Sequence, residues 1–416
     1  MNSILAYFLK LAPDEAYYWV WSNYLSFGYF DHPPMVALLI KIGHTIFKSE
    51  FGVRFATLLL SSLTIYFVYR ISNVKNFILF FLLIFSNLLL NAGGFIAVPD
   101  TFLVFFSSVY FYFLKRYIEK ENFSSIFLLS ISISLMLYSK YHGILIILFT
   151  LFALPKLFLR KSFYMVFLLS LIFYMPHIIW LFQNNFITIK YQLLYRQGID
   201  FNLYNVFDYI IGQFLVYGPI VGFITIISGF LYKPKDDFEK VLKYNLIGIF
   251  LFFLVFSFRN KIEANWTSSL LVPLFILSYN YIVQNEKIKK LFYKLATLNT
   301  ILIFLVRLHT IYPIININND PTSQFRNWKE FAIKVRKKTG NSKICATNYQ
   351  LTSELWFYLK EKVGFINIHS RENQYSLWKF SIDCKYIVSH VKTSNVIDSL
   401  IAPYLGKVYI ISKMDH

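Results

Sequence analysis

Apolar residues in this chain gather into runs long enough to cross a bilayer, which takes roughly 17 to 25 residues. They lie at about 51–70, 76–93, 99–117, 124–140, 162–182, 205–232, 241–258, 267–284 and 291–312, with a shorter run at 142–155. Basic clusters mark every second junction: Arg70 and Lys75; Lys115, Arg116 and Lys120; Lys156, Arg160 and Lys161; Lys233, Lys235, Lys240 and Lys243; Lys287, Lys289, Lys290 and Lys294. Lys and Arg are retained on the cytoplasmic side of a membrane, so these junctions are predicted to be cytoplasmic and the alternate ones to face outward. The outward junctions then hold Asp14, Glu15, Asp31, His32, Asp100, Lys140, His142, Lys190, Arg196, Arg259, Lys261 and Glu263. One threading thus collects nearly every unusual polar residue on a single face.

That threading needs a crossing before Pro13, yet Met1 to Ala12 offers about half the apolar length required. Either the natural start lies upstream or the first helix is stunted. The run Ile4 to Leu9 meets acidic residues and no small-residue cleavage site, so a cleavable signal peptide is not expected. Past residue 313 the pattern changes. Short β-branched runs at 343–347, 363–368, 385–389 and 407–411 alternate with helix-like stretches at 325–338, 351–359 and 393–402. The prediction is a helical transmembrane unit over 1–312, with a first outer loop at 13–50, followed by a small extracytoplasmic α/β domain over 313–416.

Composition agrees with a membrane chain. Hydrophobic residues make up 56% of the 416 and charged ones 15%, with a mean hydropathy of +0.50, which excludes a water-soluble domain of this length. A net charge of +19 would suggest nucleic acid in a soluble protein. Here the cations sit in short clusters between apolar runs, so no nucleic-acid partner is expected. Cys345 and Cys384 are too few for a metal site or a disulfide scaffold and leave room for a single bridge.

Acidic and histidine side chains beside membrane spans are costly unless they work, which directs attention to the first forty residues. A helix opening at Pro13 puts Asp14, Tyr17, Tyr18 and Trp21 on one face of an interfacial amphipathic helix, with a carboxylate in its first turn. The bland alternative is that Asp14 merely complements the helix dipole. Asp31-His32-Pro33-Pro34 reads as a capping Asp before a helix that begins with prolines, and Pro99-Asp100 repeats the pairing. Helix N-termini converging on one face suit a phosphate-bearing ligand, and carboxylates beside them could act on a hydroxyl. Lys140, Lys190, Arg196, Arg259 and Lys261 are outward cations, against the insertion bias, and as a set they suggest a compensating phosphate, with headgroup contact as the alternative for any one of them. There is no Gly-rich nucleotide loop, no familiar metal-ligand spacing and no nucleophilic Ser or Cys motif.

The runs LAPDEAYYW, GYFDHPPMVALLI, AVPDTFLVFF, LYSKYHGIL and KIEANWTSSLLVP, followed by TNYQLTSELWFYL and RENQYSLW, resemble the bacterial glycosyltransferases related to protein O-mannosyltransferases and to the lipid A aminoarabinose transferase, family 39 in the broad sense. The resemblance implies a GT-C fold, a catalytic first extracytoplasmic loop and a sugar donor carried on a polyprenyl phosphate. It maps the acidic residue of the first loop onto Asp14, with Glu15 beside it, and a second acidic motif onto Asp100. Asp31 and His32 stand where aminoarabinose transferases have an acidic residue and a lysine, which leaves the sugar and any divalent metal open.

The expected activity is transfer of a sugar from a polyprenyl-phosphate donor to a lipid or glycan acceptor of the envelope (lipid A, lipopolysaccharide or another glycan), at the outer face of the plasma membrane. Asp14, Glu15, Asp31, His32 and Asp100 would be the catalytic group, with the five outward cations binding the donor phosphate. Rivals are a protein O-mannosyltransferase and, in another class, a transporter or lipid flippase. The latter should show broken helices and charges near the membrane midplane.

Overall fold

The computed structural model describes residues 1–192, 201–368, 370–380, 382–391, 395–403 and 407–414. Among these, Glu50–Ile71, Lys161–Gln183, Asp237–Ser257, Ala264–Gln284 and Glu286–Ile311 are long and apolar enough to cross a membrane. Phe77–Ser86 and Leu88–Phe95 add a sixth crossing if the two, which meet at 76°, form one broken span. Pro99–Glu119 has 21 residues, and Phe123–Ser139, Gly143–Ala153, Leu203–Val216 and Gly222–Leu231 are shorter apolar helices. The chain is a multi-pass helical membrane protein.

The run at 205–232, expected as one span, is two helices. Gly218 lies between them at φ +136°, a conformation open to glycine, and Pro219 follows it. A Cβ there would meet the Ser86 carbonyl at 2.9 Å. The run at 76–93 breaks at Asn87, which closes one helix and whose side chain accepts from the Leu90 N–H to cap the next.

The basic junctions share one end of the bundle. Lys115 Nζ donates to the Ile71 carbonyl at 3.0 Å, Arg160 pairs with Glu121 at 2.9 Å, and Lys156 pairs with Asp237. At the same end the Tyr279 hydroxyl accepts the backbone N–H of both Lys75 and Asn76 at 2.8 Å.

After the last long helix the chain builds a five-stranded sheet from β1 Ile344–Ala346, β2 Gly364–Phe365, β3 Tyr386–Ser389, β4 Val396–Ile401 and β5 Val408–Lys413. The order is β2-β1-β3-β5-β4, with β1 parallel to β2 and β3, and β5 antiparallel to β3 and β4. The stretch 393–402 was expected to be helical. Its described part is instead the edge strand β4, because Val396, Ile397 and Ile401 favour extended backbone and β5 supplies the ladder. A disulfide joins Cys345 to Cys384.

This domain folds back on the first loop. Its helix Tyr349–Leu359 packs against Pro13–Ser22 through Tyr17 on Tyr349, with ring centroids 4.6 Å apart, and Trp19 edge-on to Phe357 at 4.9 Å. The Tyr358 hydroxyl accepts the Leu11 N–H at 2.9 Å. Pro13–Ser22 is therefore sheathed on its sides and does not lie as an open amphipathic helix at the interface. Asp14 is its one exposed residue.

Candidate active site

Pro13 opens the helix at a position where its missing N–H costs nothing, and Glu15 reaches back so that its Oε2 accepts the Ala12 N–H at 2.9 Å. This geometry presents Asp14 to a cavity of about 590 Å³, also lined by Tyr17, Tyr18, Asp31, His32, Asp100 and Lys140. Asp14 Oδ1 accepts from Gln350 Nε2 at 2.8 Å, a contact supplied by the C-terminal domain.

Asp31 does not cap the helix that follows. That helix, Met35–Ile46, begins after both prolines, and the Asp31 carboxylate accepts instead from the Tyr17 hydroxyl at 2.9 Å and from Arg371 Nη1 at 2.5 Å. Arg371 also lies over the Tyr349 ring, 4.6 Å from its centroid. Burial works against the guanidinium charge, and the adjacent Asp31 more than reverses this, raising its pKa. His32 sits edge-on to Tyr18, with centroids 6.0 Å apart.

Asp100 opens the Pro99–Glu119 helix, as its sequence suggests, and is buried at the centre of a second cluster. Its Oδ1 accepts from Lys140 Nζ at 2.6 Å and Ser268 Oγ at 3.2 Å, and its Oδ2 from Asn265 Nδ2 at 3.0 Å. Lys140 is in place because the Phe123–Ser139 helix ends there. The remaining lining includes Ile144, Leu145, Phe252, Phe253, Phe256 and Ile262, so the cavity joins charged groups to an apolar wall.

Asp14, Asp31, His32, Asp100 and Lys140 are thus brought together, whereas Glu15, Lys190, Arg259 and Lys261 do not line the cavity. Glu15 was expected beside Asp14 in the catalytic group. Its side chain is 0% exposed and pairs with the equally buried Arg54, with Nε to Oε1 at 2.9 Å and Nη2 to Oε2 at 2.5 Å. The Ala97 N–H completes its shell at 2.9 Å. Adjacent helical residues point about 100° apart, so exposure of Asp14 turns Glu15 inward. Lys261 lies 3.8 Å from Glu263 in an exposed pair, and Arg196 falls outside the described residues. Among the described residues, no group of three or more His, Cys, Asp or Glu side chains is arranged to hold a metal ion.

Sequence reasoning missed Arg371, Tyr349 and Gln350. Their segments were noticed as part of a tail, but an Arg beside a Glu in a polar stretch carries no sign of a partner 340 positions away.

Comparison with known proteins agrees with this architecture. Residues 31–180 match the family model described as dolichyl-phosphate-mannose-protein mannosyltransferase. No curated protein matches the sequence. Crystal structures of ArnT from Cupriavidus metallidurans match almost the whole fold. The apo form gives a TM-score of 0.69 at 12% identity, covering 99% of this chain and 95% of that one. The form bound to undecaprenyl phosphate gives 0.68 at 13% identity, covering 98% and 96%. The chain is PMT- and ArnT-like, with the GT-C fold throughout and the mannosyltransferase family's sequence pattern over residues 31–180.

Proposed function

We propose that this protein transfers a sugar, with inversion, from a polyprenyl monophosphate to an envelope lipid or glycan on the outer face of the plasma membrane. One observation carries the reading: a single cavity joins the exposed Asp14 carboxylate, two cation–carboxylate pairs and an apolar wall. A polyprenyl-phosphate sugar has the same three chemical parts in a hydroxylated sugar, an anion and a hydrocarbon tail. The binding of undecaprenyl phosphate by the ArnT structure of the same fold supports that donor class. Placement of the basic junctions at the opposite end of the bundle supports an outward-facing site.

In the proposed reaction an acceptor oxygen attacks the anomeric carbon as that carbon's bond to the phosphate oxygen breaks. The bonding pair leaves with the polyprenyl phosphate, and the acceptor proton passes to Asp14. Lys140 and Arg371 stabilise the charge that develops on the leaving phosphate, and Asp100 and Asp31 hold those two cations in place. Asp14 is the exposed residue of its helix, and one of its contacts is with the neutral Gln350 amide. Asp14→Asn, measured at equal membrane abundance, is expected to lose roughly 100- to 10,000-fold in transfer rate, the usual worth of a positioned base. Near-normal turnover would reject the role.

A further inference from the structure

The span Glu286–Ile311 is the least buried of the five long helices, so one side of it faces lipid. A crossing takes about 20 residues, and counting that many from Lys294, the last of its basic cluster, puts the far edge of the hydrocarbon layer near Ile314. The chain stays at that edge. The Ile314 N–H donates to Nδ1 of His309 at 3.1 Å, and Nε2 of His309 lies 3.3 Å from an Asp320 carboxylate oxygen that also pairs with Arg326. His309 belongs to the last turn of the span, so the strap 312–317 is tied to that turn. Tyr312, Ile314 and Ile315 are nevertheless 69%, 60% and 62% exposed, and Ile317 is exposed as well. A run of large apolar side chains is costly in water, whereas Tyr and Ile are at home at the edge of a bilayer.

The C-terminal sheet meets this strap. Pro403, just after β4, lines a groove of about 600 Å³ together with Pro313, Ile314, Ile315, Asp320 and Arg326. Beside it, Ile401 at the end of β4 is paired with Val408 at the start of β5, and the two are 73% and 50% exposed. Residues opposite one another in a ladder point to the same face. Tyr409, next along, points to the other face, where its ring lies 5.9 Å from Phe331 of the helix Trp328–Thr339. Ile401 and Val408 thus lie on the face that this helix leaves uncovered, with exposed Lys407 alongside. Aliphatic side chains next to a lysine match the boundary between acyl chains and phosphate headgroups.

We propose that the strap 312–317, with Ile401 and Val408 of the sheet, forms one foot that rests on the phospholipid leaflet at the cavity end of the bundle. Continuity of the strap with the lipid-facing side of a span favours lipid over a second copy of the chain as the occupant. The proposal depends on Glu286–Ile311 crossing the membrane and not on sugar transfer. It gives a second support to the domain that carries Gln350 and Arg371 into the site, the first being its packing on Pro13–Ser22.

Single labelling sites test the foot in the full chain, whose own two cysteines are joined to each other. Ile315→Cys, Ile401→Cys and Val408→Cys probe the foot, and Lys337→Cys probes the exposed side of the helix that covers the opposite face. Each protein carries a nitrobenzoxadiazole label, is purified by size exclusion and is placed in nanodiscs of phosphatidylethanolamine and phosphatidylglycerol. The discs are made with and without lipids bearing a nitroxide near the glycerol backbone. Labels replacing Ile315, Ile401 and Val408 are expected to shift their emission to the blue and to lose most of it to the nitroxide lipid. The label replacing Lys337 should stay bright and be quenched by iodide in the water instead. Iodide quenching without nitroxide quenching at Ile315, or at Ile401 and Val408, would overturn the proposal. Shielding from both quenchers at Ile401 and Val408 would mean that protein covers this face, as a second copy would, and would overturn it too. Nitroxide quenching as strong at Lys337 would overturn the choice of face. If one of the two sheet variants does not fold, the other decides, because they share the face.

Discussion

The buried Glu15–Arg54 pair sets up a sharp distinction between holding the site and performing the chemistry. Glu15 accepts from two Arg54 nitrogens and from the N–H groups of Ala12 and Ala97, and Arg54 also donates to the carbonyls of Leu9 at 2.8 Å and Lys10 at 2.6 Å. The pair ties the first helix, Asn2–Phe8, and the start of Pro13–Ser22 to the Glu50–Ile71 helix. Glu15→Ala would leave a fully buried guanidinium without the carboxylate that pairs with it, for which about 3 to 5 kcal/mol is the usual cost. Arg54→Met would strand the carboxylate at a similar cost. Replacing both, as Glu15→Leu with Arg54→Met, removes the two uncompensated charges together, and such exchanges are often neutral. The backbone N–H groups of Ala12 and Ala97 then lose a partner, at about 1 to 3 kcal/mol each, so recovery should be partial. The assay is thermal unfolding of the detergent-solubilised protein run beside sugar transfer per folded molecule. Both single variants should melt far below the wild type and the double variant between them and it, with turnover per folded molecule tracking stability. A Glu15→Ala protein that melts like the wild type but does not turn over would refute the structural role and return Glu15 to the catalytic group.

Glu354 lies in the C-terminal domain with both carboxylate oxygens buried and unpartnered among the described residues, and burial, with Glu15 nearby, pushes its pKa well above 4.5. A raised carboxyl pKa costs nothing below about pH 4.5 and costs stability increasingly as the pH climbs from there towards the folded-state value. Glu354→Gln is therefore expected to melt higher than the wild type at pH 7.5, with the gap closing towards pH 4.5; parallel melting curves across that range would contradict it. Alkaline phosphatase fused after the last residue should be active and a cytoplasm-dependent fluorescent protein dark, and the reverse pattern would overturn the outward-facing assignment.

Local rules made some of the site legible. Pro13-Asp14 and Pro99-Asp100 both open helices as read, because proline at a first helical position and acid in the first turn act through the nearest few residues. Alternation of basic junctions anticipated their shared end for a similarly local reason. What escaped notice depends on distant chain. Arg54 is a charge inside an apolar run with no local sign of a partner, and only folding reveals that it neutralises Glu15. Three outward cations chosen by charge alone, Lys190, Arg259 and Lys261, lie off the cavity, whereas Arg371 enters it from the far end of the sequence. The run at 205–232 reads as one span on composition alone, and the Gly218-Pro219 dipeptide inside it is where the structure divides it.

Arg371 gives the order of synthesis a meaning for this site. Ribosomes deliver Asp14, Asp31, Asp100 and Lys140 to the membrane first, while the guanidinium that meets Asp31 arrives 340 residues after that carboxylate. Until the C-terminal domain has closed over the first loop, Asp14 lacks Gln350 and Asp31 lacks Arg371. A nascent or truncated chain can be fully inserted and still have an open, electrostatically unbalanced pocket. Completion of the polypeptide thereby becomes the event that arms the site, and loss of the last fifty residues is equivalent to deleting part of the pocket itself.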